Sequence, residues 1–126
     1  MNKEIIANLA ELDEIELIYE TRKLKGDKIY LNYTIICDVD NIVSDISLMI
    51  CKKIIATMAV IQELFSRKNI TFSYTIKTSE EFEKEIYENK EKIAKKMANT
   101  EILYSKNTYL QDLMEENREY TKSKRA

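Results

Sequence analysis

The chain has 126 residues, a net charge of −2 at neutral pH and 44% apolar residues, so we expect one globular domain over residues 1–126. It has no His, no Pro and one Gly, which excludes imidazole acid–base chemistry, histidine metal ligands and glycine-rich phosphate loops. The acidic balance disfavours nucleic-acid binding. We expect no cofactor. Cys37 and Cys51 lie in apolar stretches and predict buried, reduced thiols of a cytoplasmic protein without a signal peptide.

The N-terminal third predicts a short helix followed by a β-hairpin. Residues 3–12 place their apolar side chains on one helical face. Residues 14–23 and 28–37 then alternate with a period of two around the LKGDK turn, where Gly26 tolerates a positive φ. The predicted first strand has Ile15, Leu17 and Tyr19 on one face, and the second has Ile29, Leu31, Tyr33, Ile35 and Cys37.

Residues 42–67 form the longest apolar-rich stretch and predict a long central helix. Its apolar residues cover most of the helical circumference, so we expect the helix to be buried on more than one side. Lys52 and Lys53 interrupt the stretch, and it therefore does not predict a membrane span. Asp40 or Asn41 is expected to cap its N-terminus.

The C-terminal half predicts one more strand and two helices. Residues 70–77 alternate as a strand, with Ile70, Phe72, Tyr74 and Ile76 inward. Thr78 and Glu81 have the capping-box spacing for a helix whose apolar stripe is Phe82, Ile86, Ile93 and Met97. A short extended piece at 101–105, a last helix at 107–120 and a frayed basic tail at 121–126 follow. The predicted class is α+β, in the order α-β-β-α-β-α-α, with a small mixed sheet whose hairpin packs on the central helix.

Asp38, Asp40 and Asp45 are the one tight carboxylate group near a strand end. Two of them have the Asp-x-Asp spacing that suits a phosphate-bound Mg²⁺. The same residues also suit strand termination and helix capping, because carboxylates are favoured at helix N-termini. We favour the capping interpretation and expect neither a metal site nor catalytic residues.

Two surface features bear on partners. Lys90, Lys92, Lys95, Lys96 and Lys106 alternate with Glu residues, which predicts a solvated face of mixed charge rather than a nucleic-acid surface. Tyr30 and Ile36 on the outer face of the hairpin, with Ile18, form a candidate partner-binding patch. The alternative is that another helix covers these three residues.

Four stretches, LIYETRKLKGD (17–27), YTIICDVDN (33–41), ITFSYTIKTSEEFEKEI (70–86) and KKMANTEILYS (95–105), follow one another in a characteristic order. The order resembles the minimal nucleotidyltransferases found beside a helical partner in toxin–antitoxin pairs. The resemblance implies a nucleotidyltransferase-like fold, in which a Gly-Ser pair and three carboxylates hold metal ions and nucleotide. Here Thr21 and Arg22 occupy the Gly-Ser places, Tyr33 and Ile35 occupy the Asp-x-Asp places, and TFSYT on the third strand has no carboxylate.

Three hypotheses follow. The first is a non-catalytic interaction protein, a pseudo-nucleotidyltransferase that acts as an antitoxin, an immunity protein or a phage-encoded inhibitor of a defence system by binding another protein. The second is an active Mg²⁺-dependent nucleotidyltransferase that uses Asp38, Asp40 and Asp45. The third is a structural homodimer subunit. We favour the first.

Overall fold

The computed structural model describes the backbone of residues 2–38 and 45–125, and the side chains of residues 4–38 and 48–119. The chain is of the α+β class, as predicted. In this part of the chain the elements are α1 (Asn2–Ala10), β1 (Ile15–Lys25), β2 (Lys28–Cys37), α2 (Asp45–Ser66), β3 (Ile70–Lys77), α3 (Ser79–Glu88), α4 (Lys90–Met97), β4 (Thr100–Ser105) and α5 (Thr108–Arg125). The predicted Asp40 or Asn41 cap, residues 42–44 and the side chains of the 121–126 tail lie outside the described residues.

The four strands form one mixed sheet in the order β3-β2-β1-β4. β1 and β2 pair antiparallel around Gly26, whose φ of 59° is the left-handed conformation that favours glycine in a two-residue hairpin turn. β3 pairs parallel to β2 after the α2 crossover, and β4 pairs antiparallel to β1. The predicted hairpin and the predicted strands at 70–77 and 101–105 are therefore confirmed.

A β-bulge changes which residues of β1 share a face. The register with β2 shifts between Ile15 and Leu17. Ile15 consequently packs in the cluster beneath α2, whereas Leu17 and Tyr19 pack in the cluster on the opposite face of the sheet. The prediction that these three residues share one face is wrong, because the bulge inserts one extra residue and reverses the alternation. The predicted common face of β2 is confirmed, since Leu31, Tyr33, Ile35 and Cys37 all lie in the cluster beneath α2.

α1 and α2 cover one face of the sheet, but α2 is not wrapped by the rest of the chain. It buries a single stripe made of Ile50, Ile54, Met58, Ile61 and Phe65. Four large apolar side chains on its other sides are each more than half exposed, namely Leu48, Met49, Ile55 and Val60. Burial on more than one side was the wrong prediction for the described chain, because α3, α4 and α5 pack on the opposite face of the sheet. No helix among the described residues has the length and apolarity needed to cross a bilayer.

The second helical layer contains α3, α4 and α5. It covers the end of the opposite sheet face that contains Leu17 and Ile36. Thr78 caps α3 as predicted, because its hydroxyl accepts a hydrogen bond from the Glu81 amide at 3.2 Å. The predicted helix over Phe82 to Met97 is interrupted at Asn89, whose φ of −150° and ψ of 65° are not helical. The break reorients α4 without removing the apolar stripe, since Phe82, Ile86, Ile93 and Met97 are all buried.

Candidate functional site

Asp38, the described member of the candidate carboxylate group, ties the end of β2 to the start of α3. Its Oδ1 accepts a hydrogen bond from the Ser79 amide at 2.7 Å, and its Oδ2 accepts one from the Ser79 hydroxyl at 2.5 Å. Its own amide donates to the Glu14 carbonyl at 2.8 Å. A carboxylate at a helix N-terminus satisfies an unpaired amide and interacts favourably with the helix dipole. Asp38 therefore has a capping role, but for α3 rather than for the central helix.

Of the three candidate carboxylates, the structure describes only the Asp38 side chain. Asp40 lies outside the described residues, and Asp45 begins α2 with its side chain outside them. Among the described residues, no group of three His, Cys, Asp or Glu side chains is placed to hold a metal ion. Both Asp38 oxygens already accept hydrogen bonds from Ser79, so metal binding there would have to displace these bonds.

We expect Asp38→Ala to lower the free energy of unfolding by about 1–3 kcal/mol, because it removes two charge-assisted hydrogen bonds at the start of α3. Urea denaturation measures the loss. Asp112→Ala is the matched control, since Asp112 is exposed on α5. Equal stabilities of the two variants would contradict the capping role of Asp38.

The residues at the Asp-x-Asp places of the nucleotidyltransferase pattern belong to the hydrophobic core. Tyr33 and Ile35 are fully buried beneath α2. The Tyr33 ring centroid lies 5.0 Å from that of Phe72 and 6.1 Å from that of Phe65, both edge-to-face. These contacts join β2, β3 and the end of α2, so both positions contribute to packing.

The candidate patch of Tyr30, Ile36 and Ile18 does not form one exposed surface. Ile18 is fully buried in the cluster beneath α2, and Ile36 is fully buried in the cluster beneath α3–α5. The alternative that helices cover these residues is correct for both isoleucines. Tyr30 alone of the three is partly exposed.

An apolar exposed surface that was not singled out from the sequence lies at the β3 edge of the sheet. β3 is an edge strand, and its Tyr74 and Ile76 are 38% and 40% exposed. The parallel register sets them beside Tyr33 and Ile35, hence on the α2 side of the sheet. We name the surface formed by Leu48, Ile55, Tyr74 and Ile76 the edge patch.

Helix α2 contributes to the edge patch through one flank. Leu48 and Ile55 are seven residues apart and therefore lie on the same side of the helix. α1 packs against α2 and β4, so it covers the flank directed towards β4. β2, α2 and β3 form a β-α-β unit, and such units almost always have a right-handed crossover. In that arrangement the flank of α2 with Leu48 and Ile55 is directed towards β3.

The two cysteines differ in exposure. Cys37 is buried and Cys51 is partly exposed, and both are free thiols. The prediction that both are largely buried is therefore correct only for Cys37, because Cys51 lies beside the buried stripe of α2 rather than within it. Burial, assisted by the nearby Cys51 and by acidic groups, raises the pKa of Cys37 to about 11.

We expect a thiol reagent at pH 7–8 to modify Cys51 quickly and Cys37 slowly in the folded protein. The thiolate is the reactive form, and a raised pKa keeps Cys37 protonated until the pH approaches 11. Stopped-flow labelling should show one fast thiol in the wild type, and Cys51→Ser should remove that phase. Retention of the fast phase in Cys51→Ser, or its loss in Cys37→Ser, would show that the assignment is wrong.

No family model matches this chain, and no curated protein or solved structure is significantly similar to it.

Proposed function

We propose that this chain is a non-catalytic interaction protein whose edge patch binds an extended segment of a partner protein. The observation that carries the proposal is the edge strand β3, which pairs on one side with β2 and has two half-exposed apolar side chains near its end. Residues 70–76 include no charged side chain and no Pro. Edge strands usually have such residues to prevent pairing, so an unprotected edge is consistent with use as a binding surface.

The backbone chemistry of an open edge favours a polypeptide as the bound molecule. The outer side of β3 presents amide and carbonyl groups in the spacing of a β-ladder. A strand from another protein complements every one of these groups, and alternate side chains of that strand would contact Tyr74 and Ile76. The exposed Leu48 and Ile55 extend the apolar contact onto α2.

The described side chains form no metal-binding group, which is consistent with a binding role. The sequence has no His, and the described residues include no group of three His, Cys, Asp or Glu side chains placed to hold a metal ion. An active Mg²⁺-dependent nucleotidyltransferase would need Asp38, which the α3 N-terminus already uses. The resemblance to minimal nucleotidyltransferases stays a prediction, and within it this chain would be a degenerate member.

An antitoxin, an immunity protein or a phage-encoded inhibitor would each act through such a surface, and the partner is then a toxin, an effector or a defence protein. The free thiols are consistent with the reducing cytoplasm in which these proteins work. The same edge would serve a structural homodimer, because two copies of β3 can pair antiparallel about a two-fold axis.

The test is co-expression of the tagged chain with the products of its flanking genes, followed by gel filtration with light scattering. We expect a stable heteromeric complex. Tyr74→Lys and Ile76→Lys should each disrupt it, because they place a charge at the edge of the strand without altering the core. Leu24→Lys is the matched control, since Leu24 is 67% exposed at the hairpin tip, and it should leave the complex intact.

Other outcomes discriminate among the alternatives. A homodimer dissociated by Ile76→Lys, with no heteromeric complex, would favour the structural subunit. Mg²⁺-dependent nucleotide transfer that is lost in a folded Asp38→Ala/Asp40→Ala variant would favour the enzyme. A complex that tolerates both edge substitutions would overturn the edge patch as the binding surface.

A further inference from the structure

A cleft of about 530 Å³ lies on the sheet face opposite α2, beside α4. α3–α5 pack over the apolar end of this face at Leu17 and Ile36. Towards the hairpin the same face becomes polar, and helix packing does not cover it there. Clefts of this volume accommodate small organic ligands.

The floor of the cleft is a hydrogen-bonded polar network across three strands. Asn32 on β2 accepts hydrogen bonds through Oδ1 from the hydroxyls of Ser73 at 2.8 Å and Thr75 at 3.4 Å. Its Nδ2 donates to the Thr34 hydroxyl at 3.2 Å, and Thr34 in turn hydrogen-bonds the Tyr19 phenol. These hydrogen bonds fix the orientations of the floor side chains. The donors and acceptors that they leave unused therefore have defined directions.

The walls of the cleft are strongly basic. Its lining includes five basic side chains and one acidic side chain, in a protein whose net charge is −2. The acidic one, Glu85, is engaged by Lys77 at 2.8 Å, and Arg22 lies 3.8 Å from Glu20 outside the lining. Lys23, Lys95 and Lys96 have no salt-bridge partner among the described residues. A concentration of unpaired cations around a concave site creates a local positive potential that attracts anions.

The cleft also has an apolar wall. Ile93 and Met97 of α4 line it together with the Tyr19 ring of the sheet. These side chains are buried against the helix layer, so they form a fixed surface. The combination of a fixed apolar wall, a polar floor and lysines without a described salt-bridge partner fits a molecule with an organic part and a phosphate group.

We propose that this cleft binds a small organic phosphate, with the phosphate held by Lys23, Lys95 and Lys96 and the organic part against Tyr19 and Met97. The proposal does not depend on the edge patch, which lies on the other face of the sheet. It reassigns Lys95 and Lys96 from a solvated mixed-charge surface to an anion site. The confined volume favours a small ligand over a nucleic-acid strand.

The experiment uses phenyl phosphate as the probe, with inorganic phosphate and benzoate for comparison, in ¹H–¹⁵N NMR titrations of the full chain. We expect saturable shifts at Thr21, Asn32, Thr34, Thr75, Lys95 and Lys96, with a dissociation constant at or below about 1 mM at low salt. Phenyl phosphate should bind more tightly than either comparison anion, because it alone uses both the lysines and the apolar wall. Added salt should weaken binding.

Charge-neutralising variants test the location. Lys23→Gln/Lys95→Gln/Lys96→Gln should weaken phenyl phosphate at least about tenfold, because three positive charges leave the site. The matched control is Lys28→Gln/Lys52→Gln/Lys68→Gln, which removes the same charge from exposed positions outside the cleft and should change affinity less than about twofold. Equal weakening by both triple variants, shifts spread over all lysines, or binding of oligothymidylate without any phenyl phosphate effect would each overturn the proposal.

Discussion

We expect Ile54→Ala to lower the free energy of unfolding by about 2–5 kcal/mol, the range for a fully buried large aliphatic side chain. Ile54 is completely buried on the stripe of α2 that faces β2 and β3. Its truncation removes apolar contacts and leaves a cavity between helix and sheet, where the surrounding strands cannot collapse. Stabilities of folded domains are about 5–15 kcal/mol, so the loss is a large fraction of the total.

Ile55→Ala is the matched control for this prediction, because it makes the same chemical change one residue further along the same helix. Ile55 is 52% exposed. Alanine also has a higher helix propensity than isoleucine, so we expect a change below about 1 kcal/mol. Urea denaturation of both variants gives the comparison. If both variants lose the same free energy of unfolding, α2 does not pack on the sheet through the stripe that contains Ile54.

The second large effect is expected on the opposite face of the sheet. Phe82 of α3 is fully buried, and its ring centroid lies 6.0 Å from that of Tyr19 on β1. Phe82→Ala should lower the free energy of unfolding by about 3–5 kcal/mol, because the ring anchors α3 to the sheet and a large cavity would remain.

Tyr87→Ala on the same helix is the control for Phe82→Ala. Tyr87 is 57% exposed, and its hydroxyl lies 3.4 Å from that of Tyr109 at the surface. Its loss should cost less than about 1 kcal/mol. Thermal and urea unfolding, both followed by circular dichroism, check the pair. A Phe82→Ala variant as stable as Tyr87→Ala would mean that α3–α5 do not pack as a layer on the sheet.

Local patterns were sufficient to predict much of the fold. The period-two alternation of β2 correctly assigned its core face, and Gly26 correctly marked the hairpin turn. The Thr78 and Glu81 spacing located the start of α3. Each of these depends on interactions between residues close in sequence, which propensity and periodicity capture.

The predictions from sequence were wrong where tertiary packing determines which face of an element is buried. A bulge at the start of β1 separates Ile15 from Leu17, and it depends on pairing with β2. The apolar circumference of α2 indicated wrapping, but the sequence does not show that α3–α5 pack on the other face of the sheet. Ile18 and Ile36 were candidates for an exposed patch because alternation alone does not show which faces helices cover.

The candidate sites depended even more on long-range arrangement. Asp38 had a capping role as expected, but its partner Ser79 is 41 residues away, so the capped helix could not be identified. The edge patch combines α2 with a strand whose edge position follows from the sheet order. Tyr74 and Ile76 belong to the alternating face that was predicted to be inward, and the edge position explains why they remain partly exposed.

The most direct test of the proposed binding role is hydrogen–deuterium exchange of the chain alone and in a complex with a protein that co-purifies with it on co-expression. If a partner strand pairs with β3, the alternate amides of residues 70–77 that face away from β2 gain slow exchange in the complex, because they enter a new β-ladder. Peptides from α3–α5 should keep the exchange rates of the free chain. Unchanged exchange over residues 70–77, with new protection confined to another surface, would contradict the account.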